Sequence, residues 1–212
     1  MTTLIKFCGI TRAEDALSAV DLGVDFLGFV LVPGSPRYIA PDAVQAIRAV
    51  LPPRIKTVGL FQNADRLWLI DAIAEAACDL IQFHGNESAA FCEMAARPYL
   101  KAVPMGDGPS AWAEHEAAFP SALVLLADSH TIQGGGGSGH AFAWADLPPA
   151  SARKKPLMLA GGLTPENLAE AIATTRPWAV DVSSGIERAK GIKDALKMRA
   201  FVEAVKAADA RL

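Results

Sequence analysis

Eight short apolar or β-branched runs recur along the chain, separated by alanine-rich stretches, and this alternation constrains the fold more than any single motif. The runs are "TLIKFC", "VDFLGFVL", "IKTVGLF", "DLIQFH", "YLKAV", "ALVLLA", "PLMLA" and "WAVDVS". Among the stretches between them, "RAEDALSAVDLG", "PDAVQAIRAV", "ADRLWLIDAIAEAA" and "TPENLAEAIAT" repeat apolar residues at helical spacing. Strands separated by helices, without hairpin signals, pair in parallel through crossovers. Eight such units in 212 residues predict an α/β fold, a (β/α)8 barrel of one domain over residues 1–212. The rival, a doubly wound open sheet, calls for a glycine-rich dinucleotide fingerprint after the first strand, which "CGITRAED" does not supply. Gly23 is expected to stop the first helix, and Thr164-Pro165 reads as an N-cap with proline at the first helical position.

Composition narrows the class. Hydrophobic residues make up 51% of the chain and charged ones 20%, enough for a sizeable core. A net charge of -3 without a basic stripe speaks against a nucleic-acid surface, and "RKK" at 153–155 is the densest cationic run. No apolar stretch approaches the roughly 18 residues of a membrane span. The opening "MTTLIKFCGITRAED" lacks the pattern of a signal peptide. Cys8, Cys78 and Cys92 are far apart, with no CxxC pair, as suits a reducing compartment rather than a disulfide framework or zinc site. The expectation is a cytoplasmic protein with no nucleic-acid or membrane partner, a monomer or homodimer.

Alternation along the strands points polar groups inward. In "LIKFC", Ile5 and Phe7 suit the surface under the helices, so Lys6 and Cys8 share the barrel interior. Gln82 and His84 do the same on the fourth strand, and Asp181 and Ser183 on the eighth. A purely structural barrel would place aliphatics there, and in this fold the C-terminal ends of the strands carry the active site. A cation beside a thiol favours the thiolate, so Lys6 and Cys8 read as an activated base or nucleophile; Lys6 alone could instead bind an anion. Asp128 closes the sixth strand, either capping the loop or serving as a general acid whose proton burial and substrate charge would help retain. Residues 128–144 form the longest irregular stretch, glycine-rich, either a lid or a slack loop.

Two loops point to phosphate. "LAGGLTPEN" places Gly161-Gly162 after the seventh strand, and "DVSSGIE" places Ser183, Ser184 and Gly185 after the eighth. Main-chain N–H groups in these positions cradle phosphate recurrently in this fold. A sugar-phosphate ligand is expected.

The segments "KFCGIT", "GSPRYI", "VGLF", "QFHG", "GGSG…F.W", "AGGLTPENL" and "DVSSGIE….G.KD" occur in order along nearly the whole chain. Together they resemble the phosphoribosylanthranilate isomerases of tryptophan biosynthesis. The resemblance implies an Amadori rearrangement of N-(5-phosphoribosyl)anthranilate without metal or cofactor. It implies Cys8 as the general base and Asp128 as the general acid. Arg37 would engage the anthranilate end, with Lys6, His84 and Asp181 as further substrate contacts. Phosphate would be held by Gly161, Gly162, Ser183, Ser184 and Gly185, together with Gly137 and Gly139 of the glycine loop. One departure is Ala143, where the family usually carries an aspartate. Competing readings are an epimerase working through paired carboxylates such as Asp128 and Asp181, an indole-glycerol-phosphate synthase, or a phosphometabolite-binding barrel without catalysis.

Overall fold

A computed structural model describes residues 2–129 and 142–212. Its centre is a closed barrel of eight parallel strands, in which β1 (Leu4–Cys8) pairs with both β2 (Phe26–Val30) and β8 (Ala179–Val182). Around the ring lie β3 (Lys56–Phe61), β4 (Leu80–Phe83), β5 (Tyr99–Pro104), β6 (Val124–Asp128) and β7 (Leu157–Leu159). Each coincides with one of the eight apolar runs, β5 and β6 running one residue further, to Pro104 and Asp128. Helices α1 (Ala13–Leu22), α2 (Pro41–Arg48), α3 (Arg66–Ala76), α4 (Ala89–Glu93), α5 (Ala111–Ala118), α6 (Leu168–Thr175) and α7 (Ala195–Asp209) join the strands and close the chain. Among the described residues the β6–β7 connection holds only short 3-10 turns, Trp144–Asp146 and Ala150–Ala152. After β8 comes a two-stranded antiparallel hairpin, β9 (Glu187–Ala189) and β10 (Ile192–Lys193).

Period-two alternation divides the core. Ile5, Phe7, Leu27, Phe29, Ile81, Phe83, Val180 and Val182 belong to the shell packed under the helices. The alternate residues Phe26, Val58, Leu100, Leu126, Met158 and Ala179 form a separate cluster inside the barrel. Cys8, Val30 and Leu60 make a third, small cluster toward the C-terminal ends. The expected inward parity of Lys6 and Cys8 is therefore the parity found.

Helix ends follow local chemistry. Gly23 stops α1 in the left-handed region at φ 85°. Asp65 caps α3 by accepting from the Trp68 N–H, and Asp194 caps α7 by accepting from Leu196 and Lys197. The expected helix start at Thr164-Pro165 needs correction, because α6 begins at Leu168. The Asn167 side chain accepts from the Thr164 N–H at 2.9 Å and donates to the Gly162 carbonyl at 2.9 Å. These bonds hold residues 164–167 as a turn after the glycine pair and delay the helix by one turn.

Candidate active site

Cys8 ends β1 on the inner face and is buried. One layer below it the Lys6 ammonium, fully buried, donates to Asp181 Oδ1 at 2.9 Å. Room for both side chains comes from Gly28, the register partner of Cys8 on β2. A Cβ built there would lie 3.0 Å from Cys8 Sγ and 3.2 Å from Lys6 Cε. A glycine inside a strand often marks such a close approach, which is the signal sequence reading passed over.

The electrostatics correct a simple view of the thiol. Burial pushes the Cys8 thiol up; Lys6 and Lys193 pull it down, Asp181 pushes it further up, and the net direction is upward. Enclosure thus favours the neutral thiol over the thiolate. Burial drives Lys6 toward its neutral form, but the Asp181 carboxylate opposes it, and the ammonium is held above the ordinary range. Lys6 is thus enclosed and paired with Asp181.

Across the mouth, Asp128 ends β6 and His84 follows β4. His84 Nε2 lies 3.3 Å from Asp128 Oδ2, and Gln82 Nε2 lies 3.0 Å from His84 Nδ1. Asp128 Oδ1 accepts from the Ser129 N–H at 2.7 Å. The expected polar set is thus brought to one end of the barrel: Cys8 and Asp181 on one side, His84 and Asp128 on the other. A paired-carboxylate epimerase fits poorly, because Asp181 is engaged by Lys6.

The loops after β7 and β8 meet each other. Gly161 and Gly162 both take positive φ, 81° and 67°. A Cβ on Gly161 would stand 2.6 Å from the Ser129 nitrogen, and one on Gly185 would stand 2.5 Å from the Leu163 carbonyl oxygen. Ser184–Ile186 is a single 3-10 turn rather than the extra helix this position often carries. The Ser183 hydroxyl is buried without a hydrogen-bond partner among the described residues, a donor available to a ligand. Gly137 and Gly139 lie outside the described residues.

Arg37 reaches the same rim. Its Nε and Nη2 donate to Glu187 Oε1 and Oε2, each at 2.8 Å, and its Cδ lies 2.7 Å from where a Cβ on Gly9 would sit. Glu187 accepts as well from Lys193 Nζ at 3.0 Å. Burial raises the Glu187 carboxyl, but Arg37 and Lys193 outweigh it and hold it below the usual carboxylate range. Neither Glu187 nor Lys193 was picked out from the sequence. "ERAKGIK" reads as a solvated hairpin, although its G.KD element falls within the last matched segment.

Comparison with known proteins places this geometry. The model of the N-(5'phosphoribosyl)anthranilate (PRA) isomerase family matches residues 5–204. An N-(5'-phosphoribosyl)anthranilate isomerase of Pseudomonas fluorescens is 50% identical over 95% of this chain and 97% of its own length. The crystal structure of the Thermus thermophilus phosphoribosyl anthranilate isomerase superposes with a TM-score of 0.86 at 40% identity, covering 97% of this chain and 99% of that one. A phosphoribosyl anthranilate isomerase in complex with reduced 1-(o-carboxyphenylamino)-1-deoxyribulose 5-phosphate gives 0.78 at 32%, covering 97% and 100%. The chain belongs to the N-(5'-phosphoribosyl)anthranilate isomerase family.

Proposed function

We propose that the chain converts N-(5-phosphoribosyl)anthranilate to 1-(2-carboxyphenylamino)-1-deoxyribulose 5-phosphate, an aldose–ketose isomerisation of tryptophan biosynthesis. The reaction needs one proton given and one removed at neighbouring atoms. Asp128 donates to the furanose ring oxygen, the C1′–O bond opens, and a protonated Schiff base forms. Cys8, as thiolate, removes the C2′ proton to give the enolamine, in whose ketonisation C1′ gains a proton while the 2′-hydroxyl gives one up to become the carbonyl. Atoms and electrons balance without an oxidant or reductant.

The observation that carries the reading is the pairing of Cys8 and Asp128, from opposite sides of the barrel, with two touching glycine- and serine-bearing loops at the same rim. Acid and base then flank a sugar whose phosphate is anchored beside them. Burial favours the neutral thiol of Cys8, and the Lys6 charge lowers the cost of forming the thiolate during turnover. The guanidinium of Arg37, held by Glu187 through its Nε–Nη2 edge, turns its other edge to the anthranilate carboxylate. His84 holds Asp128 in place.

A steady-state assay on freshly generated phosphoribosylanthranilate, following loss of anthranilate fluorescence, tests the reading. Enzyme-dependent decay is expected. Decay no faster than the buffer blank would leave a phosphate-binding barrel of other chemistry.

A further inference from the structure

The β9–β10 hairpin carries a buried ion pair at a point where a short excursion could have been closed by apolar residues at less cost. Lys193 is 2% exposed and Glu187 7%. The Lys193 ammonium donates to the Cys8 carbonyl at 2.6 Å, the Ser183 carbonyl at 3.2 Å and Glu187 Oε1 at 3.0 Å. One point charge thus joins the last residue of β1 to the first residue after β8. Those two residues carry the proposed base and open the proposed phosphate loop.

The partner carboxylate extends the tie. Glu187 takes both Arg37 nitrogens on one side and Lys193 on the other, and Oε1 accepts from the Gly191 N–H at 3.3 Å. The Gly191 carbonyl in turn accepts from Thr11 Oγ1 at 2.5 Å. A Cβ on Gly191, which has φ 77°, would stand 3.2 Å from the Pro36 carbonyl. Loops after β1, β2 and β8 are therefore fastened to one hairpin. The Lys193 N–H donates to Asp15 Oδ2 at 3.2 Å, fixing the hairpin to α1 as well.

From this geometry we infer that Lys193 and Glu187 are positioning residues of the isomerase, Lys193 setting the spacing of Cys8 from the loop after β8 and Glu187 aiming Arg37. The inference rests on the isomerase reading. The charged groups around the Cys8 thiol are Lys6, Asp181, Lys193 and Arg37. Loss of Lys193 removes one of the three cations that favour the thiolate as well as the two carbonyl contacts. A brace with only a structural role would affect the melting temperature and leave the chemistry of the folded protein alone.

Lys193→Met and Glu187→Gln, assayed beside wild type for turnover of phosphoribosylanthranilate, provide the test. Thermal unfolding and the pH dependence of Cys8 alkylation by iodoacetamide, read by peptide mass mapping, accompany it. In folded Lys193→Met, kcat is expected to fall about 100-fold, the scale of a misplaced reacting group, with the alkylation midpoint moved to higher pH. In Glu187→Gln, KM is expected to rise several-fold, with kcat less affected. Folded variants with wild-type kcat, KM and alkylation profile would overturn the inference, whatever their melting temperatures. If Lys193→Met does not fold, Glu187→Gln decides alone, and wild-type kinetics in it would be fatal. An inactive wild type would overturn the isomerase reading itself and this inference with it.

Discussion

The two ends of the barrel are built from the same strands and the same alternation, yet they differ in chemistry. At the N-terminal end the inward residues are Phe26, Leu80, Leu100 and Val124, and they open into a cleft of about 410 Å³ completed by Leu123, Trp178, Lys56 and Asp79. Polar groups there tie strands together: Asp25 accepts from the Ile5 N–H and Asp79 from the Thr57 N–H, each at 2.8 Å. At the C-terminal end the inward positions are Cys8, His84, Asp128 and Ser183, over the buried Lys6–Asp181 pair. The difference shows how this barrel divides its labour. Apolar burial in the lower layers supplies rigidity, so the upper layer can carry groups that would otherwise weaken a core.

Cutting at both ends breaks this division most sharply. Cys8→Ser and Asp128→Asn should each lower kcat by about 100-fold or more, with phosphate-ligand affinity little changed. Wild-type turnover in either variant would remove that residue from the chemistry. In the lower layer, Met158→Ala should cost about 2–5 kcal/mol in denaturant unfolding while kcat of the folded protein stays near wild type. A large loss of kcat there would show that the ends are coupled.

Two buried thiols sharpen the contrast. Cys78, just before β4, has Arg48 and Arg97 as its nearby cations, but burial outweighs them and pushes it up to about 11 from an ordinary 9.0. A raised thiol keeps its proton in the folded state while the unfolded chain releases it. Its contribution to stability is complete below about pH 9 and is lost as pH rises toward 11, on the order of 2 kcal/mol. Unfolding measured from pH 8 to 11 should show a smaller alkaline loss in Cys78→Ala than in wild type. Equal losses would assign the alkaline slope to other groups. The smallest effect is expected at Trp178, half-exposed and tilted against Phe26 with ring centroids 5.5 Å apart. Trp178→Ala should cost at most about 1 kcal/mol and leave kcat unchanged.

The strands were legible because a barrel strand is buried on both faces, so its apolar run stands out even when it is short. Lys6, Gln82 and Asp181 were legible for the opposite reason, as polar residues at the wrong parity for a core. What escaped depended on contacts distant in sequence. Lys193 lies 185 positions from the carbonyl it holds on Cys8, and nothing local in "GIKD" separates it from a solvated lysine. Thr164-Pro165 carries a sound helix-start signal, and the Asn167 side chain overrides it. Arg37 was legible as a cation near the substrate, but its fork on Glu187 was not. The direction of the Cys8 thiol was hidden too, because adjacency to Lys6 is a matter of sequence while the enclosure that outweighs it belongs to the closed barrel.

Gly28 has a bearing on how such a chain can drift. Each added methyl elsewhere in a barrel can be absorbed by trimming a neighbour, so lower-layer positions can exchange volume among themselves over many substitutions. Position 28 has no such trading partner. Its nearest atoms are the sulfur, the main chain of Cys8 at 3.2 Å and the lysine stem. An alanine there would have to displace the thiol or the lysine before any compensating change could help. Lineages that keep the thiol and the lysine are therefore expected to remain fixed at glycine here, and a change at this position should accompany a replacement on β1.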